Sequence, residues 1–462
     1  MIESDVAERV LTTAMGTGGE FAEIYAEDKH STSVGFDDGR VEQVTSGRDR
    51  GAGIRVISGD TTGFAHTADI TEAGLLRAAE VAAAAAQRGG PGTAVTSLTA
   101  TVARTRTIER NPDEVAKRHK VDLLVAADEA ARASGRQVVQ VSAGYGDSHK
   151  QVMVANTDGL WSTDTQTRVL FRINVVADGD TGMQTGYESF GRTAGFEAFE
   201  SVDVADLARR AAARAITKLG ARPAPSGSMP VVIRQGTGGV LFHEACGHGL
   251  EADHIAKGAS VYRGKVGELV ASPLVTLVDD GTMGDEWGTL SIDDEGHPTQ
   301  RNVLIEDGVL TDYMYDYLRA RNEQRRPSGN GRRQSYRHLP MVRMTNTFVL
   351  DGHDDPDDII SSTEQGVYVS MLGGGSVNTA SGDFVFGMTE AYLIENGSVT
   401  EPLREGNLIG NGPQVLRDID MLGNDFAMGS PGTCGKDGQG VPVGTGQPTL
   451  RVKSLTVGGT AA

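Results

Sequence analysis

Over its first seventy residues the chain carries a strand pattern. "FAEIYAED" (21–28) and "STSVGFDDGRVEQVTSG" (31–47) hold β-type residues broken by Asp-Gly, a hairpin signal. "GAGIRVISGDTTGFAHT" (51–67) repeats the pattern around Gly-Asp. The period then lengthens. "TEAGLLRAAEVAAAAAQRGG", from Thr71, predicts an alanine-rich helix stopped by Gly89 and Gly90. "NPDEVAKRHKVDLLVAADEAARASG" predicts another, with Asn111 as N-cap, Pro112 in the first turn and Gly135 at the end. Strands return in "RQVVQVSAGYG", "KQVMVANTDG" and "TRVLFRINVVAD". A third helix follows, with Val204, Leu207, Ala208, Ala211, Ala215 and Leu219 on one stripe and Gly220 as its stop.

The pattern breaks at "ARPAPSGSMP" (221–230), which reads as a linker and divides the chain into residues 1–222 and 223–462. Beyond it come a short strand "VVIRQ", the turn "GTGG", a histidine-bearing segment, and many short strands separated by Gly, Asn and Asp. One amphipathic helix is expected around "DYMYDYLRARNEQRR" (312–326). Of the 462 residues 61 are glycine, nearly twice the average share of roughly 7%, and the excess gathers in turns near the C-terminus. The expected class is α+β: an N-terminal mixed α/β domain, then a largely antiparallel β domain carrying the histidine helix.

Charge and cysteine content narrow the function. The formal net charge is −19, with 62 Asp+Glu against 43 Lys+Arg and no basic stripe, which argues against nucleic acid as a partner. No apolar run approaches the roughly 20 residues that span a membrane, and the N-terminus lacks a signal-peptide pattern. Two widely separated cysteines make no disulfide framework and fit a reducing cytoplasm.

The candidate chemistry lies in "LFHEACGHGLEADH" (241–254), where His243 and His248 stand five apart and Glu244 follows the first. Zinc-protease helices space their histidines four apart. On a regular helix residues five apart diverge by about 140°. The two imidazoles converge only if a π-bulge widens the helix or the helix ends near Gly247-His248-Gly249, and the flanking glycines make either sterically easy. A third ligand is then needed. The candidates are Glu251, which could instead support a ligand, the more distant His297 and His338, and Cys434 in the glycine-rich "GSPGTCGKDGQG", read as a flexible loop. A thiolate beside two imidazoles suits zinc best, with iron(II) the other fit. Cys246 reads as an apolar filler and His254 as a surface residue.

"HEACGHGLE" resembles the H-E-A-x-G-H-x-L-E signature of the TldD half of the TldD/PmbA metallopeptidases. "DDEGHPTQRNVLIEDGVL", "GNGRRQSYRHLPMVRMTNTF", "LGGGSVNTASGDFVF", "EAYLIENG" and "CGKDGQGVPVGTGQPTL" resemble further blocks of that family, in order, across residues 231 to 460. The resemblance implies His243, His248 and Cys434 as ligands of one divalent ion and Glu244 as catalytic base. It also implies a TldE- or PmbA-like partner subunit lacking the histidine motif, or a homodimer, and substrates that are small or unfolded peptides. The position between the histidines that varies in the signature is Cys246 here, a second thiol that competes with Cys434 for the role of ligand. Tyr336, His338 and Arg343 are candidates for stabilising an oxyanion, and "GGGSVNTASGDF" for a sheet edge that pairs with an extended peptide. The competing readings are a hydrolase trimming a peptide-like natural-product intermediate and a non-catalytic scaffold braced by the metal.

Overall fold

A computed structural model describes residues 1–86, 92–102 and 106–459. It begins with helix α1 (Ser4–Ala14), which the sequence reading did not anticipate although Ala7, Val10, Leu11 and Ala14 form a helical stripe and are buried. The two predicted β pieces that follow are one continuous strand, β1 (Phe21–Asp37). The chain reverses at Asp38 and Gly39, both with positive φ (47° and 78°), into β2 (Arg40–Ser58), and again at Gly59 into β3 (Thr61–Thr67). Helix α2 (Glu72–Ala85) is capped by the Thr71 hydroxyl, which accepts from the Gly74 N–H. Its predicted stop at Gly89 and Gly90 lies outside the described residues.

After β4 (Thr99–Val102), the helix expected from Asn111 is split. Asn111 caps a 3-10 turn over Pro112–Glu114; Val115 is then extended and packs inward, and α3 (Lys117–Ala133) starts beyond it. β5 (Val138–Asn156), β6 (Leu160–Ala177) and β7 (Gln184–Arg192) complete the first sheet, and α4 (Val204–Leu219) buries most of its predicted stripe.

The first sheet runs β3-β2-β1-β5-β6-β4, with β7 also on β6. Its strands are long enough for one face to serve two cores. Ala22, Ile24 and Ala26 of β1 pack with α1 and α2, while Val34 and Phe36 farther along pack with α3 and α4. Period-two alternation turns the odd residues of β1 the other way. There Arg55 of β2 donates to Glu23 at 2.9 Å and to Glu295 of the C-terminal half at 2.8 Å, all three buried. Tyr25 packs with Tyr336 of that half.

From residue 222 onward the chain builds its own sheets. Strands Gln365–Val377, Gly227–Ile233, Leu450–Gly459, Gly406–Asn411 and Asp383–Glu395 pair in that order, and the last pairs back to the first, closing a ring. A second sheet joins Arg301–Glu306, Leu277–Asp280, Asn346–Val349 and Gln439–Gln447. The pairings are mostly antiparallel, and strand outweighs helix two to one in the molecule (44% against 22%), so the class is α+β. The helix expected over 312–326 shortens to Tyr317–Asn322, because Tyr313, Met314 and Tyr315 are drawn into the core and Met314 bridges to Glu251.

Candidate metal centre

Strand Gly227–Ile233 leads through Gly236 and Thr237 into α5 (Gly239–Ala245). The helix starts tight against a strand: a Cβ on Gly239 would stand 2.4 Å from the Gly446 nitrogen. It ends at Ala245. Cys246 leaves helical geometry (φ −125°, ψ −51°), and Gly247–Leu250 forms a 3-10 turn. Of the two routes to convergence, the chain takes the broken helix and forms no π-bulge. The flanking glycines matter for space and not for left-handed backbone, since neither has positive φ. A Cβ on Gly247 would stand 2.2 Å from Met344 Sδ, and one on Gly249 would stand 2.8 Å from the Tyr262 ring. His243 and His248 end edge to face, ring centroids 5.1 Å apart.

Cys434 is not in a loop. It sits in strand Gly432–Lys436, which turns at Asp437-Gly438 (φ 48° and 76°) and pairs with Gln439–Gln447. The Asp-Gly hairpin orders the glycines around it. Period two then puts Cys434 and Lys436 on one buried face. Cys434 Sγ lies 3.2 Å from His248 Nε2, and donor atoms of His243, His248 and Cys434 all fall within 4.8 Å of one another. His243 is 1% exposed and its ring faces the Cys434 sulfur, yet among the described residues neither ring nitrogen has a partner at hydrogen-bond geometry. A buried imidazole left this way is costly unless something else occupies it. Two imidazoles and a thiolate are a donor set that fits a zinc-like ion.

The surrounding charges are arranged in a chain. Glu251, fully buried, is 2.9 Å from His248 Nδ1, the ring nitrogen that faces away from Cys434. Glu251 thus orients the ring and does not join the donor cluster. Lys436 Nζ donates to Glu251 at 2.9 Å, Asp253 at 2.7 Å and the Val342 carbonyl at 3.1 Å. Glu251, Asp253 and His254 also gather donor atoms, but Lys436 already supplies the cation there. His254, expected at the surface, is partly buried, 3.7 Å from Glu251. Burial alone would raise the Cys434 thiol; the facing imidazoles of His243 and His248 outweigh it and hold it at about 4. Burial pushes Cys246 the other way, up to about 12, among the apolar core residues.

Glu244 projects into a cavity of about 470 Å³ that His243 and Cys434 also line; it is 29% exposed, 3.8 Å from His248 Nε2. The opposite walls come from the N-terminal half, through Thr185, Tyr187 and Arg214, and from Met371–Gly374. No local sequence signal marks those N-terminal residues. Lys436 was missed because its segment was read as a loop; on the strand it stands two positions after Cys434 and shares its buried face.

The other candidates stand elsewhere. His297 stacks on Tyr317, and His338 pairs with Ser335. Arg343 is buried behind the Cys434 strand, donating to the Cys434 carbonyl at 2.5 Å. Tyr336 is buried against the first sheet. None of Tyr336, His338 and Arg343 lines the cavity.

The glycine segment of strand Gln365–Val377 does reach it. Val367–Val369 pairs on both sides, but Gly375–Val377 pairs on one side alone among the described residues, and Gly373 and Gly374 line the cavity.

Three family profiles match the chain, described as PmbA/TldA metallopeptidase domain 1 (22–86), central domain (110–219) and C-terminal domain (226–459). A Haemophilus influenzae protein named Metalloprotease TldD homolog is 41% identical over 449 residues, 96% of this chain and 93% of that one. A Saccharolobus solfataricus protein named Zinc metalloprotease TldD homolog is 33% identical over 263 residues, 56% of this chain and 58% of that one. In three dimensions the fold is similar to TldE from Thermococcus kodakarensis, with a TM-score of 0.79 at 20% identity, covering 98% of this chain and 99% of that one.

Proposed function

The chain belongs to the PmbA/TldD metallopeptidase family, and on that premise we propose that it is a zinc-dependent peptidase acting on small or unfolded peptides. The observation that carries the reading is the buried His243, unpartnered at both nitrogens, beside His248 and the thiolate of Cys434. In this reading His243, His248 and Cys434 hold one divalent ion. When bound, that ion supplies the positive charge that acidifies water and polarises a carbonyl. The name of the Saccharolobus relative and the donor set favour zinc over iron(II).

The chain's own residues do the rest. Glu251 fixes the His248 ring so that Nε2 faces the thiolate, and Lys436 holds Glu251 in place. Glu244 has access to the cavity and stands 3.8 Å from His248 Nε2, so it can take a proton from the attacking water and return it to the leaving amine. Gly373–Val377 offers an unpaired strand edge beside the cavity, on which an extended chain can add as a further strand with little demand on its side chains. A base at the cavity has no place in a scaffold braced by metal, which weighs against that reading.

We infer a reducing cytoplasm as its setting, in keeping with two free cysteines. No helix among the described residues is long and apolar enough to cross a membrane. The partner is proposed to be a TldE-like subunit, with a homodimer as the alternative.

The test is a pair of variants measured with elemental analysis and a peptide digest. Cys434→Ser is expected to lose the metal. Glu244→Gln is expected to keep metal and fold while cleavage falls at least a hundredfold. Unchanged turnover by the Glu244 variant would refute the enzymatic assignment.

A further inference from the structure

A second cavity, about 420 Å³, lies between the face of the first sheet and the C-terminal half, and it shares Thr433 with the metal-site cavity. Thr433 immediately precedes Cys434, so the two cavities meet at the strand carrying the thiolate. In a protein of net charge −19 its lining is cationic: Lys29, Lys150, Arg168, Arg332 and Arg333 against two carboxylates, Asp147 and Asp294.

The counter-charges are already engaged, and so is one of the cations, Arg333, which is ion-paired with the buried Glu23. Asp147 is held by Lys120, and Asp294 accepts from the Arg333 backbone N–H at 2.9 Å. Arg168, 6% exposed, donates to the Trp287 and Thr289 carbonyls at 3.3 Å and to the Gln166 side chain at 3.4 Å, all neutral. Arg332, 2% exposed, donates to the Met344 carbonyl at 2.5 Å, and its Nε has no partner. Lys150 donates to the Tyr25 hydroxyl at 3.3 Å and has Glu27 and Asp294 at 3.8 Å, and Lys29 is exposed at the cavity. Burial first, then the neighbouring Arg332, bring Arg168 down to about 10; burial does the same to Arg332. Among the described residues both guanidiniums hydrogen-bond to neutral groups, with the carboxylates of Asp294, Asp164 and Asp279 acting on them from farther away, so each keeps a charge that an anion can meet directly. Leu170, Trp287, Leu290 and Val441 give the remaining wall an apolar character.

We propose that this cavity is a substrate subsite that takes a peptide carboxylate, either the free C-terminus or an acidic side chain, of a chain whose scissile bond lies at His243, His248 and Cys434. The inference rests on the peptidase reading for the identity of the ligand, and on the cavity for its charge. The carboxylate meets the arginines as a fork-shaped acceptor, and the apolar wall takes the adjoining side chain.

Binding is measured by calorimetry on the full chain stripped of metal, which removes both cleavage and any contact between metal and carboxylate. The probes are acetyl-pentaalanine as free acid, the same peptide as C-terminal amide, and an amide with a central glutamate. The free acid, the glutamate peptide or both are expected to bind at least tenfold more tightly than the plain amide, and which of the two does so identifies the source of the carboxylate. Lys29→Gln/Lys150→Gln removes two of the cations that line the cavity and is expected to reduce that preference, and the exposed Lys29→Gln alone to reduce it less. Arg168 and Arg332 are left intact because their removal threatens the fold. Equal binding of all three peptides, no binding of any, or a preference of unchanged size in the double variant overturns the proposal. A metal-loaded chain that still cleaves the plain amide keeps the peptidase reading standing in that event.

Discussion

Glu251 is a lever on the metal site from outside the donor cluster, and Glu251→Gln is the perturbation that isolates it. Its Oε2 lies 2.9 Å from both His248 Nδ1 and Lys436 Nζ, while Oε1 has no partner. Burial would push its carboxyl up, but His248 and Lys436 outweigh burial and hold it at about 2, so it is an anion at neutral pH. Glutamine preserves the shape and one accepting oxygen but removes the charge. Hydrogen bonds to a charged group contribute about 1.5–3 kcal/mol against about 0.5–1.5 for neutral ones, so two weakened bonds remove about 2–3 kcal/mol from the metal-free chain. Asp253, 2.7 Å from Lys436, keeps the ammonium from being stranded and caps the loss there. For the metal, losing an anionic partner behind a ligating ring lowers affinity about 10–100-fold, or about 1.4–2.7 kcal/mol. Zinc affinity is read by chelator competition at pH 7.5 and stability by urea unfolding of the metal-free chain. Wild-type zinc affinity in a folded Glu251→Gln protein would show that His248 needs no anion behind it, and the proposed division between ligands and supporting groups would be wrong.

Two further outcomes follow from the same electrostatics. In the metal-free chain the Cys434 thiol, held at about 4, is already a thiolate above about pH 5. Its alkylation, slow because the sulfur is 3% exposed, should therefore be flat from pH 5.5 to 8.5, where an ordinary thiol climbs about tenfold per unit. Cys246, raised to about 12, should stay unmodified; peptide mass spectrometry at each pH reads both, and a tenfold rise per unit at Cys434 would contradict the geometry. Between the halves, Arg55→Met leaves Glu23 and Glu295 buried without their shared cation and should cost about 3–5 kcal/mol, seen as a lower urea midpoint; an unchanged midpoint would mean the pair is not buried in solution.

The α+β class and the longer helices were legible because each rests on local information: a 3.6-residue stripe, a cap, an Asp-Gly turn. Errors arose where distant packing decided. The segment after Asn111 has helix-forming composition throughout, but Val115 is worth more in the core than in a helix, so the helix starts late. Tyr313–Tyr315 is taken from its predicted helix in the same way. Cys434 was read as a loop residue from its glycines, although the Asp437-Gly438 pair that begins three residues on is the hairpin signal used correctly at Asp38-Gly39.

The five-residue spacing of His243 and His248 shows most plainly where sequence reasoning stops. Steric permissiveness at Gly247 and Gly249 left two backbone routes open and did not choose between them. The chain uses neither glycine for left-handed backbone. What selects the broken helix is the space beside His248: Met344 and Tyr262 press to within a few ångströms of where those glycines would carry a Cβ. The same neighbourhood then fixes the ring through Glu251 and sets it against a sulfur 186 positions later in the chain. The histidine motif is therefore half of a fitted surface whose other half lies in residues 262, 344 and 434. A substitution at Met344 or Tyr262, far outside any recognisable signature, bears on the donor geometry as directly as one at the glycines themselves.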